Sequence, residues 1–217
     1  MENSDIISLW KSYDKKLEDN LLFNKKNAED ITKLKVQSLI GSMKPLKIFT
    51  ILIGIIWVGI VDILIINLFH EANPIFLISA GIQVLLTKLA IGIYLYQMVL
   101  IHQIDISSPI LKTQEKLTRL KSTTLWIARL LFLQLPFWTT FYWNESMLVN
   151  GNVWLYTLQF LVTSVFSFIA IWLFFNIRYV NRNKRWFQII FSGKEWIPIV
   201  KSMELYAEIE EFKVEKS

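Results

Sequence analysis

The chain has 217 residues, a formal charge of +5 and a mean hydropathy of +0.41, with 53% of its residues apolar. That apolar fraction excludes an ordinary soluble domain, and the lack of cysteine excludes disulfides, thiol catalysis and cysteine metal sites. The basic residues do not form runs interleaved with aromatics, so membrane flanks explain them better than a nucleic-acid surface, and no nucleic-acid partner is expected.

Residues 4–44 predict a long polar helix. Ser4 can cap it, with Asp5 in the positive first turn. Ile6, Trp10, Tyr13 and Leu17 recur at spacings of four and three, and Ile31 and Leu34 resume the same stripe. Asn20, Asn24 and Asn27 occupy the stripe between them. Asparagines on a helix seam can fix register or partner number, and the plainer expectation is a solvated or bent middle stretch. Trp10, Tyr13 and Leu17 form either a partner-docking face or part of a cytoplasmic core, with packing on the chain's own helices slightly favoured. Gly41-Ser42 and Pro45 predict a break before the next segment.

Four apolar runs follow, at residues 46–69, 74–101, 124–143 and 153–175. A bilayer core needs about 20 apolar residues at about 1.5 Å each, so each run is long enough to span. Nine basic residues lie in the first 47 positions, four between the second and third runs, and eight after the fourth. The short connections at 70–73 and 144–152 carry none. This asymmetry predicts four spans with both termini cytoplasmic. Trp138, Tyr142, Trp143, Trp154 and Tyr156 beside the second outer connection read as an interfacial aromatic belt.

On the inner side, Ser107-Ser108-Pro109 offers a cap for a short amphipathic helix over residues 108–121. After the fourth run, Arg178, Arg182, Lys184 and Arg185 form a collar suited to anionic head groups, and a last acidic helix begins near Pro198. The three polar helices are expected to pack on one another. Residues 1–45, 46–175 and 176–217 thus divide into an N-terminal helix, a membrane domain, and a collar with a C-terminal helix.

Ionisable groups within spans are costly, which directs attention to Asp62, Lys88 and Arg129. If the first two spans are antiparallel, the Lys88 stem reaches Asp62, giving a structural pair or, as the alternative, a coupling site in a small transporter or channel subunit. Arg129 lies close enough to the inner edge to snorkel to lipid phosphates. Gln83, Gln134 and Gln159 read as helix-binding amides. His70 and His102 sit at opposite ends of spans and cannot share a metal or act as one acid–base pair. No Gly-rich phosphate loop, G-x-S-x-G or H-E-x-x-H occurs, so no enzyme activity, cofactor or metal is expected.

Two stretches carry a resemblance. Leu9-Trp10-Lys11-Ser12-Tyr13-Asp14-Lys15-Lys16-Leu17, followed by Asn20-Leu21, and Asp105-Ile106-Ser107-Ser108-Pro109-Ile110-Leu111-Lys112 together resemble an uncharacterised group of bacterial four-span membrane proteins. That group has a W-K-x-Y-D-x-K-L-x-x-N-L opening, and the resemblance covers about a third of the chain. It implies a regulatory role, for instance as a membrane anchor for a transcription factor, and brings no catalytic residue. The chain therefore reads as an all-α polytopic protein of a bacterial inner membrane. It is expected to contact anionic lipid and a cytoplasmic protein or a second copy of itself, as a regulator or scaffold.

Overall fold

The computed structural model describes residues 2–104, 110–141, 143 and 152–214, and all regular structure among them is helical. The elements are α1 (Glu2–Gly41), α2 (Lys44–Leu68), α3 (Pro74–His102), α4 (Ile110–Leu133), α5 (Leu135–Thr140), α6 (Val153–Asn176), α7 (Arg185–Ile190) and α8 (Ile197–Val214). A single 3-10 turn, Tyr179–Asn181, joins α6 to α7. Three helical stretches are long and apolar enough to cross a membrane, and they contain α2, α3 and α6. Much of their apolar surface faces outward, as lipid contact requires: Ile55, Ile63, Leu85 and Phe168 are all exposed.

The third apolar run has a different construction from the others. It is divided between the second half of α4 and the six residues of α5, interrupted at Gln134. Pro136 has no amide hydrogen to donate, which removes one helical bond, and Gln134 N–H turns instead to the carbonyl of Leu131. The Gln134 side chain donates to the Thr87 hydroxyl at 3.1 Å, tying the interruption to α3. α5 packs against α3 and α6, so the interrupted run lies alongside its neighbours. Gly54 lets α2 and α3 approach closely, since a Cβ there would sit 3.2 Å from Ile91.

One expected boundary is absent, and another is present as a two-residue turn. A separate helix over 108–121 was anticipated, but α4 runs unbroken from Ile110 through residue 124 into the apolar run. No glycine or proline lies between residues 110 and 133 to stop it. The anticipated cap at Ser107-Ser108-Pro109 lies outside the described residues, as does Tyr142 of the aromatic belt. At the other junction, α1 and α2 are separated only by Ser42 and Met43, and Met43 keeps right-handed helical angles. Gly41 does not adopt a positive φ, and Pro45 falls in the first turn of α2, where a missing donor costs little. Ser4 sits within α1 rather than at its start.

We use "proximal" for the end of the bundle where α2 begins and α3 and α6 finish. The polar helices pack there, as anticipated. Val36 and Ile40 of α1 and Met43 of the junction meet Leu117 and Leu120 of α4 and Ile199 and Tyr206 of α8 in one buried cluster. Burial pushes the Tyr206 phenol above its ordinary pKa, against a smaller opposing effect of the Thr113 hydroxyl. A second cluster joins Leu125, Leu173 and Ile177 to Phe187, Phe191 and Trp196, with the Phe187 and Phe191 rings stacked at 4.3 Å.

Leu117 is fully buried in the first cluster, so Leu117→Ala should lower stability by about 2–5 kcal/mol. The loss should appear as a lower Tm in detergent, with α8 released to protease before the apolar helices. An unchanged Tm would show that the polar helices do not pack as described.

Candidate functional site: a buried lysine at the proximal end of the bundle

Lys47 opens the first apolar run one turn into α2, yet its side chain is 0% exposed. A buried ammonium is tolerable only with partners, and α3 supplies them. Lys47 Nζ donates to Gln97 Oε1 at 2.5 Å and lies 4.8 Å from the centre of the Tyr94 ring. Tyr94 and Gln97 are three residues apart and therefore share a helix face. Gln97 Nε2 passes the polarity onward, donating to the hydroxyls of Thr123 at 2.9 Å and Thr124 at 3.1 Å. Both threonines donate to the Leu120 carbonyl, closing the chain on the α4 backbone.

The counter-charge comes from the segment between α7 and α8. Glu195 Oε1 lies 4.0 Å from Lys47 Nζ, and Glu195 Oε2 accepts from the Tyr94 hydroxyl at 3.2 Å. Glu195 keeps 27% exposure, so this pair is dry on the lysine side and wet on the carboxylate side. Beside it opens a cleft of about 310 Å³, with Tyr94, Thr124 and Glu195 at its polar corner and Leu131, Phe132 and Trp196 among its walls. Lysine, glutamate, tyrosine and threonine here form a polar latch. It fastens the segment before α8 to α2, α3 and α4.

The anticipated Asp62–Lys88 contact is made, with Lys88 Nζ donating to Asp62 Oδ2 at 2.9 Å between neighbouring helices α2 and α3. The two side chains are 39% and 54% exposed, on the outer surface of the helix pair. They do not line the cleft. The Arg129 guanidinium is held by the chain's own backbone. Its Nε and Nη2 donate to the Ile177 carbonyl at 2.9 and 2.6 Å, just past the end of α6, where a cation complements the helix dipole.

Of the collar, Arg178, Arg182, Lys184 and Arg185 are all exposed at the proximal end. Arg182 and Lys121 lie over the Tyr179 ring at 4.6 and 4.0 Å. Burial, and then the Arg182 charge, push the Lys121 ammonium below its ordinary pKa. Gln134 and Gln159 bridge helices as anticipated, Gln159 donating to the Thr139 carbonyl at 2.5 Å. Gln83 is buried and makes no hydrogen bond among the described residues.

Trp10, Tyr13 and Leu17 do not pack on the chain's own helices, the arrangement the sequence slightly favoured. All three are exposed, Trp10 by 73%. The buried residues of α1 in that cluster are Val36 and Ile40. At about 100° per residue, these lie more than about 90° around the helix from the Ile6–Leu17 stripe, so one helix cannot turn both faces to the same core.

Comparison with protein families, curated proteins and solved structures finds no match for this chain.

The latch should respond asymmetrically to substitution. Glu195→Ala strands a fully buried ammonium, whereas Lys47→Met leaves a carboxylate that retains contact with water. Breaking a buried pair costs about 3–5 kcal/mol when the remaining charge stays dry, and less when water reaches it. Thermal melting in detergent should therefore rank Glu195→Ala below Lys47→Met; the reverse order would mean that Lys47 is not held in a dry site.

Proposed function

We propose that this chain is a four-span protein of a bacterial inner membrane, with both ends in the cytoplasm, that acts as a membrane-anchored regulator or scaffold through contacts of α1. One observation carries the reading. A 40-residue helix, about 60 Å long, leaves an apolar stripe of Ile6, Trp10, Tyr13 and Leu17 exposed. These positions lie in the polar region before the first span, where lipid does not explain their exposure. Aromatic anchors of this type dominate protein interfaces.

The fourth span in this reading is the second half of α4 with α5. Its packing beside α3 and α6 supports that assignment. The lysine and arginine bias of the connections supports the orientation, and the exposed collar suits anionic head groups on the cytoplasmic face. The latch fits an anchoring role, because it holds the C-terminal segment to the span ends. A route for solutes has less support. Asp62 and Lys88 face outward and lie away from the cleft.

Two measurements test this reading. Reporter fusions at Asn150 should behave as external, and fusions at Gln114 and the C-terminus as cytoplasmic; a cytoplasmic signal at Asn150 removes the four-span topology. In native membranes α1 should be shielded from protease, and Trp10→Ser with Leu17→Ser should expose it. Because both side chains are on the surface, the double change should alter stability by no more than about 0.5 kcal/mol per site. A shielded wild type and an equally shielded variant would remove the stripe from the function.

A further inference from the structure

The stripe on α1 follows a stricter rule than amphipathicity demands. From Ile6 to Leu34 it advances by alternating steps of four and three without a slip: Ile6, Trp10, Tyr13 and Leu17, then Asn20, Asn24 and Asn27, then Ile31 and Leu34. This is the heptad spacing of a coiled-coil seam, sustained for about four heptads, or roughly 42 Å. Every one of these positions is exposed. The buried intramolecular contacts of α1 are made elsewhere on its circumference, by Val36 and Ile40. Packing within the chain therefore leaves the whole seam available.

We infer that the occupant of this seam is α1 of a second copy of the chain, in a parallel, in-register, two-stranded coiled coil. The inference rests on the proposed role of α1 as the contact element of a membrane-anchored protein, and names its partner. Three features select a second copy. The seam is apolar at both ends and polar in the middle. In a parallel in-register pair each residue faces its own counterpart, so apolar layers meet apolar layers and asparagines meet asparagines. An unrelated helix would need the same polar interruption at the same place.

The second feature is Asn24, which falls at an a position of the heptad, where a buried asparagine selects two strands and fixes their register. The flanking charges are the third. Asp30 and Lys35 fall at successive g and e positions, five residues apart, and so complement each other between parallel strands on both sides of the seam. Geometry assists in each case. Two copies in one membrane with the same orientation begin their α1 helices at the same level, which sets parallel alignment and register without further ordering.

The absence of cysteine provides a direct test in the full chain. Asn27→Cys places a thiol on the seam, and Leu22→Cys places one on the opposite face. Each variant is reconstituted at low density in phosphatidylcholine–phosphatidylglycerol vesicles and treated with a mild oxidant. Asn27→Cys should convert largely to a disulfide-linked dimer, and Leu22→Cys should stay monomeric. Adding Trp10→Ser and Leu17→Ser to the Asn27→Cys chain should remove most of the dimer. A monomeric Asn27→Cys chain, or equal yields at the two positions, overturns the proposal. Protease treatment of native membranes then separates the two readings. If α1 is shielded there but monomeric in vesicles, a different protein occupies the seam and the contact role stands; if α1 is cleaved freely in both, the contact role fails with it.

Discussion

The architecture depends on keeping one ammonium satisfied in a dry place. Lys47 sits where α2 enters the apolar region, and its side chain has no exposed surface. An isolated charge there would be prohibitive, so its surroundings are committed to it. α3 must present Tyr94 and Gln97 on one face, α4 must bring Thr123 and Thr124 to the amide, and the segment before α8 must place Glu195 within reach. One side chain thereby fixes the relative positions of α2, α3 and α4, and holds the start of α8 against them. The apolar clusters on either side, around Leu117 and around Phe187, supply the burial energy. They are non-directional, however, and the hydrogen-bonded lysine supplies the directional constraint they lack.

The near continuity of α1 with α2 follows from small local terms with a large consequence. Gly41 and Pro45 are both compatible with right-handed helix where they fall, so the chain does not double back at the membrane surface. Only the last part of α1 reaches the proximal cluster, and the rest extends away with its seam exposed. Had the chain turned sharply at Gly41, the Trp10 stripe could have folded onto α4 and α8. The outward helix is thus a product of backbone geometry at two residues, together with the angular offset between the two apolar faces.

Sequence made the helical class legible, together with the apolar runs and the Asp62–Lys88 contact, because length, hydropathy and the reach of a lysine stem are properties of composition and spacing. The packing of the three polar helices was legible for the same reason, from the recurrence of apolar positions. Lys47 was not. It reads as the last of nine basic residues at the entry to the first span, and burial cannot be told from a flanking role without the third dimension. The available signal was Tyr94 with Gln97, a polar pair on one face near the end of an apolar helix. The change from polar to apolar composition at 121–124 marks no change of element, because α4 contains nothing that stops a helix. The acceptor of Arg129, a backbone carbonyl past α6, has no sequence signature.

The two lysine–carboxylate pairs show how the meaning of exposure reverses along this chain. Lys47–Glu195 is dry on the lysine side, and its cost is met by Gln97 of α3, whose amide is held in turn by Thr123 and Thr124 of α4. Lys88–Asp62 is exposed on the outside of apolar helices, where in a bilayer the surrounding medium would be hydrocarbon and the pair would carry a desolvation cost of its own. Pairing at 2.9 Å lowers that cost by cancelling net charge, which suffices for a structural contact within one helix pair. The apolar side chains obey the same inversion. In a bilayer, exposed Ile63 or Leu85 would be at rest in hydrocarbon, whereas exposed Trp10 and Leu17 lie on the polar α1, where fully burying such a side chain is worth about 1.5–3 kcal/mol. That unspent free energy lies outside the spans, on one helix and in one continuous seam, and it makes α1 the part of the fold with most to gain from an encounter.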